Sequence, residues 1–203
     1  MEQIDLLFRE MEEYARKNHV PIINERGRGA FLQAVRECRP HRVLEVGMAI
    51  GYSTLQIARN GAADIQITTM ELSEERAEAA KAYIKRAGFA ERIRVLTGDA
   101  GQLLLEEAPK DAPYDFVFLD AAKGQYVDYF HKIEPLLAEN AVILADNVLF
   151  RGYVRSEEKA PRRFRTIVKR LREYIALVTE HPRYSTEILE NGDGLAVTRR
   201  IHI

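Results

Sequence analysis

Four polar residues, Asp120, Lys123, Asp146 and Asn147, stand at or just past the ends of two short apolar runs, "DFVFLD" (115 to 120) and "AVILAD" (141 to 146). Two carboxylates and an amide oxygen, with no Cys or His beside them, form a hard oxygen donor set. Such a set suits Mg²⁺ or another divalent cation and leaves positions open for water and a substrate oxygen. If the two runs are neighbouring strands, bare aspartates at their ends would repel, so a shared cation explains the pair better than two unrelated caps. Lys123 follows Asp120 by one helical turn. In its neutral form it would serve as a base, and in its charged form it would stabilise an oxyanion.

A second group of residues suggests what brings the reacting group. In "EVGMAIGYST", Gly47 and Gly51 flank a loop that leads into a helix at Tyr52 or Ser53. The spacing is G-x-x-x-G, not the G-x-G-x-x-G that seats a pyrophosphate on a helix N-terminus. Glu45 inside this turn would repel a pyrophosphate and suits an ammonium. Glu71 ends the run "IQITTMEL" and lies 20 residues after Gly51, where a carboxylate takes both ribose hydroxyls. After the next run, "GDA" offers the Asp99 carboxylate and the Ala100 backbone N–H to an adenine. Ammonium, ribose and adenine without phosphate describe S-adenosylmethionine.

These residues need a scaffold that gathers strand ends. Five apolar runs of strand length occur, at 42–47, 65–72, 93–99, 115–120 and 141–146. Between them lie helix-like segments at 52–60, 73–87, about 102–107 and 126–137, and two further helices, with Ile4, Leu7, Phe8, Met11 and Tyr14 on one and about 30–37 in the other, precede the first run. Strict alternation predicts an α/β doubly wound, Rossmann-like sheet, mostly parallel, with right-handed crossovers. After a helix from Arg162 to about Val178, "YSTEIL" and "LAVTRRI" around "ENGDG" predict a C-terminal antiparallel hairpin. A parallel sheet finished in this way is the pattern of class I methyltransferases.

The 203 residues fit a single domain, 1–203, with residues 1–40 packing on its core. A composition 46% hydrophobic and 30% charged is that of an ordinary globular chain. No apolar run reaches the roughly 18 to 20 residues of a membrane span, and the acidic, amphipathic N-terminus argues for the cytoplasm and against membrane partners. Cys38 is the only cysteine and reads as a small, half-buried hydrophobe. Net charge is −1, yet nine Lys or Arg against two acids fall between Arg151 and Arg172. Phe164, Ile167, Val168, Leu171 and Ile175 make that segment amphipathic, so some of its cations are the solvated face of a helix.

The combination "VLEVGMAIGYST", "MELSEE", "GDA", "FLDAAKGQY", "ADNVLFRGYV" and "NGDGLAV" resembles the metal-dependent O-methyltransferases of the catechol and caffeoyl-CoA type, over Ile22 to Arg200. Within that group, "DAAKGQY", "DNVLFRGYV" and "GDGLAV" are most similar to the bacterial branch that methylates 5-hydroxyuridine at the wobble position of tRNA. The resemblance implies that Glu45, Gly47 and Ser53 hold the methionine part of S-adenosylmethionine, with Ile22 adding a backbone contact. It further implies that Glu71 takes the ribose and Ala100 the adenine edge, that Asp120, Asp146 and Asn147 bind the metal, and that Lys123 is the general base. Tyr52, Asp99 and Asp120 join the cofactor-binding set. A homodimer is implied as well.

The bulky gatekeepers that grip a planar ring in the catechol enzymes correspond here to Ala122 and Arg151, and the chain has no tryptophan. An open, cationic rim suits an extruded base in a tRNA anticodon loop, with Arg151, Arg162, Arg165 and Lys169 as candidate phosphate contacts. A small catechol-like phenol is the alternative substrate, because a catechol and 5-hydroxyuridine each offer two adjacent oxygens to a metal. A non-catalytic module that binds S-adenosylmethionine or RNA is a further alternative, one that would not need the metal set and Lys123.

Overall fold

A computed structural model describes residues 2–23, 25–190 and 192–201. The five runs form strands β1 (Arg42–Val46), β2 (Gln66–Glu71), β3 (Ile93–Thr97), β4 (Tyr114–Leu119) and β5 (Leu137–Asp146), and the chain ends in β6 (Tyr184–Leu189) and β7 (Leu195–Arg200). The seven strands pair in the order β3-β2-β1-β4-β5-β7-β6. β1 to β5 are mutually parallel, and β7 runs antiparallel to both β5 and β6. From β1 the chain builds outward to β3 and then returns to β4 on the other side of β1. That reversal opens a crevice above the C-terminal ends of β1 and β4.

The helices are α1 (Glu2–Lys17), α2 (Glu25–Cys38), α3 (Tyr52–Asn60), α4 (Glu74–Arg86), α5 (Ala100–Glu106), α6 (Tyr126–Ile133) and α7 (Arg165–Glu180). They cover both faces of the sheet, which is why the central strands read as continuous apolar runs. Alternate residues of one strand enter different cores. Val43, Phe116 and Phe118 pack beneath α1 to α4, whereas Leu44, Val117 and Leu119 pack with residues of α6 and α7.

Several boundaries differ from the sequence expectation, and four of them have a local reason. α2 starts at Glu25, not near Ala30: burial of Phe31, Ala34 and Val35 along one face carries the helix through its early glycines. α5 starts at Ala100 because the Asp99 side chain caps it, accepting from the Gln102 N–H at 3.0 Å. α6 stops at Ile133, before a 3-10 turn that contains Pro135, and β5 then begins at Leu137, four residues ahead of the predicted run. The hairpin forms as expected, although Asn191 of its "ENGDG" turn lies outside the described residues. No helix among the described residues is long and apolar enough to cross a membrane.

Candidate active site

The crevice holds a cavity of about 620 Å³, walled at one end by the β1–α3 loop, Glu71 and the Asp99 turn, and at the other by Asp120, Lys123, Asp146 and Asn147. The β1–α3 loop is folded back on β2, with the Gly47 and Met48 N–H groups both donating to the Met70 carbonyl at 3.1 and 2.9 Å. Gly47 has φ +96°, and a Cβ there would run into the carbonyl oxygen of Asp120. Glycine is therefore required twice, for its dihedral and for the close approach of the loop to the end of β4.

Glu71 lines the cavity with its carboxylate fixed by two backbone donors, the Ala49 N–H at 2.8 Å and the Ser73 N–H at 3.0 Å. Asp99 and Ala100 line the same end. One Asp99 oxygen is committed to the α5 cap, and the other accepts no hydrogen bond from a described residue. Ile22 and Ser53 are also on the wall. Tyr52 lies there too, and its hydroxyl donates to Glu12 of α1 at 2.6 Å and accepts from Arg28 of α2.

Glu45 corrects the sequence expectation. Its carboxylate is absent from the cavity wall and lies fully buried beneath it, accepting from the hydroxyls of Ser53 and Thr69 at 2.6 Å each and from that of Thr54. Burial raises its pKa, and the three hydroxyls work against that shift. Glu45 thus orients Ser53, which lines the cavity.

At the opposite end, Lys123 Nζ lies 2.6 Å from Asp120 Oδ1 and 5.6 Å from the centre of the Tyr126 ring. The Tyr126 hydroxyl lies 3.1 Å from the carbonyls of both Leu119 and Asp146, tying together the ends of β4 and β5. Asp146 Oδ1 accepts from the Asn147 N–H at 2.8 Å. Burial, followed by repulsion from Asp120, pushes the Asp146 carboxyl up to about 6, against the pull of the Asn147 N–H and Lys123. Burial also raises Asp120, against the attraction of Lys123. Asn147 itself has φ +58°. Its turn is braced by the C-terminal hairpin, where the Val148 N–H donates to Gly194 O at 3.1 Å and the Leu149 N–H to Asp193 O at 2.9 Å.

Two crowded carboxylates with an amide beside them fit a divalent cation by donor chemistry. Asn147 stands on the same wall, and among the described residues no group of three or more His, Cys, Asp or Glu is placed to hold a metal ion.

The rim differs in part from expectation. Ala122 is exposed on the cavity wall, as the sequence suggested. Arg151 is not on the wall: its guanidinium lies over the Phe164 ring at 5.5 Å, and Arg163 lies over the same ring at 4.5 Å. Arg162, Arg165 and Lys169 are exposed, with Arg165 Nε donating to Ala160 O at 3.1 Å and Lys169 3.8 Å from Glu173. Arg172 is structural, holding the carbonyls of Tyr153, Val154 and Ser156. Sequence reasoning missed Arg76, Gln125 and Tyr129 on the wall. Only their places, in the first turn of α4, at the residue before α6 and in the first turn of α6, could have signalled them.

A switch-point crevice, an acid closing β2 and an antiparallel last strand between β5 and β6 define the methyltransferase class of Rossmann-like folds. The O-methyltransferase family model matches residues 3–201, and the chain belongs to that family. It is 34% identical over 131 residues to a catechol O-methyltransferase of Niastella koreensis, a match covering 64% of this chain and 59% of that one. A Staphylococcus aureus structure provisionally assigned as a caffeoyl-CoA O-methyltransferase superposes with a TM-score of 0.86 at 32% identity, covering 96% of this chain and 92% of that one. A Bacillus cereus O-methyltransferase solved in complex with SAH gives a TM-score of 0.83 at 26% identity, covering 96% and 90%.

Proposed function

We propose that this chain is an S-adenosylmethionine- and divalent-cation-dependent O-methyltransferase that converts 5-hydroxyuridine to 5-methoxyuridine at the wobble position of tRNA. The observation that carries the chemistry is one continuous wall with Glu71 and Asp99 at one end and Asp120, Lys123, Asp146 and Asn147 at the other. Glu71 would hold the ribose of the cofactor, Asp99 and Ala100 its adenine, and Ser53 with Ile22 its methionine end. When bound, S-adenosylmethionine supplies an electrophilic methyl group. Asp120, Asp146 and Asn147 would hold the cation, which when bound lowers the pKa of a chelated hydroxyl. Lys123, ion-paired with Asp120, contributes positive charge where the substrate oxygen becomes an anion.

The tRNA assignment is supported by Ala122 on the cavity wall and by the exposed cations further along the chain. Ala122 brings no ring to its place on the wall, whose aromatic residues are Tyr52 and Tyr129, and the chain beyond Asn147 carries Arg151, Arg162, Arg165 and Lys169 on the exterior. These cations suit backbone phosphates around an extruded base. A small catechol is the second reading, favoured by the identity to the Niastella koreensis enzyme. Mass spectrometry of nucleosides from undermodified tRNA incubated with the protein, beside a panel of catechols, decides between them. 5-Methoxyuridine in the tRNA is the expected product; methylated catechols with unmodified tRNA would replace the preferred substrate.

A further inference from the structure

A second cleft, of about 500 Å³, lies behind Tyr52 between α1, α2 and α3. Each helix presents one face to it: Asp5, Arg9 and Glu12 from α1, Arg28 and Arg36 from α2, and Tyr52 and Arg59 from α3. The spacings of three, four, seven and eight residues are those that bring side chains onto one side of a helix. Four guanidiniums therefore face two carboxylates, a local excess of two positive charges in a chain whose net charge is −1.

The charges are not equally neutralised. Arg59 pairs with Asp5 at 2.5 Å and lies over the Phe8 ring at 5.8 Å. Arg28 is engaged by Glu12 and the Tyr52 hydroxyl. Among the described residues Arg36 donates only through Nε, to the Asn60 side-chain oxygen at 2.9 Å, and its terminal nitrogens have no partner there. Arg9 donates no hydrogen bond to a described residue and is felt only as a charge near Glu12. Guanidinium forks left over in a concave site match the paired oxygens of a phosphate.

We propose that this cleft binds a phosphate group, with Arg9 and Arg36 as its direct ligands and Arg28 and Arg59 as flanking charge. Taken with the tRNA reading, on which this step rests, the ligand is a backbone phosphodiester of the RNA. Tyr52 walls both this cleft and the reaction cavity, so the phosphate would lie one side chain away from the site that receives the base. The RNA would then be gripped from two directions, by the segment after Asn147 and by the N-terminal helices.

The test compares the wild-type chain with the double variant R9Q/R36Q. Neither residue lines the reaction cavity, so unchanged Tm and cofactor affinity by calorimetry establish that the variant is intact. Fluorescence anisotropy of a labelled anticodon stem-loop is recorded across a salt series. Thermal shifts with inorganic phosphate are recorded against sodium chloride of equal ionic strength. The expected result is about tenfold weaker RNA binding near 0.1 M salt. The slope of log K against log salt should become shallower by roughly 0.7 to 0.9, as for the loss of one phosphate contact. If RNA binding is unchanged but a phosphate-specific thermal shift of the wild type disappears in the variant, the cleft takes a free phosphate or a phosphorylated small molecule. An unchanged salt slope together with no phosphate-specific shift overturns the cleft, even if the wild type methylates tRNA. A shift lost in the variant, from a wild type that leaves tRNA unmodified, overturns the tRNA reading and keeps the cleft.

Discussion

The two ends of the reaction cavity treat their acids differently. At the Glu71 end the chain supplies donors to each acid: two backbone N–H groups for Glu71, the α5 cap for Asp99, and three hydroxyls for Glu45 beneath the wall. At the Asp146 end two carboxylates share one lysine and one backbone N–H, and both are pushed toward protonation. The first end is preorganised by hydrogen bonds before any ligand arrives. The second stores repulsion that only added positive charge relieves. Binding and chemistry are thus separated along one cavity.

The largest expected effect breaks the second end alone. Asp146→Ala should lower turnover by at least about a thousandfold, with cofactor affinity by calorimetry nearly unchanged; a large loss of affinity would merge the two ends. Lys123→Ala should reduce kcat by roughly a hundredfold while the cofactor KM stays in place, measured by steady-state kinetics. Gly47→Ala strikes where the ends touch. The strained dihedral and the collision with Asp120 should cost about 2 to 4 kcal/mol in urea unfolding, and normal stability would mean that the loop can retreat.

The pH dependence sharpens the comparison. The Asp146 value of about 6 lies above its ordinary 3.8, so the stability this group contributes is fully present below about pH 4 and is lost as pH rises through 6. On the proposed reading Mg²⁺ would bind the ionised form, so the rise in Tm that it produces should be larger at pH 7.5 than at pH 5. Equal rises would remove stored repulsion from the account. The smallest effect falls at the first end. Glu45→Gln should cost about 1 to 2 kcal/mol of stability and weaken cofactor binding severalfold, because a neutral amide replaces the acceptor of three hydroxyls.

The fold was readable because strands buried on both faces are continuous apolar runs, and the acids that matter sit where those runs stop. The places of Asp120, Asp146, Asn147 and Lys123 on the cavity wall were legible for that reason, as were those of Glu71 and Asp99. The burial of Glu45 was not. It depends on the parallel register that sets Glu45 beside Thr69, 24 residues away in sequence, and on which side of the strand each hydroxyl falls. Arg151 was misplaced because its stacking on Phe164 spans a connection with no periodicity to read. Tyr126 was seen only as the start of a helix, yet its hydroxyl joins the two strand ends, a role visible only once β4 and β5 are known to be neighbours.

β7 follows all the other described strands in chain order, yet it lies inside the sheet, between β5 and β6. Asp193 and Gly194, at its entrance, supply the carbonyls on which the Asn147 turn leans. A chain emerging from the ribosome can therefore form the β1–α3 loop and the Glu71 and Asp99 turns well before the Asn147 turn has its support. On the proposed reading the cofactor end would mature first and the reactive end last, so a growing chain would acquire its grip on the methyl donor before it can spend it.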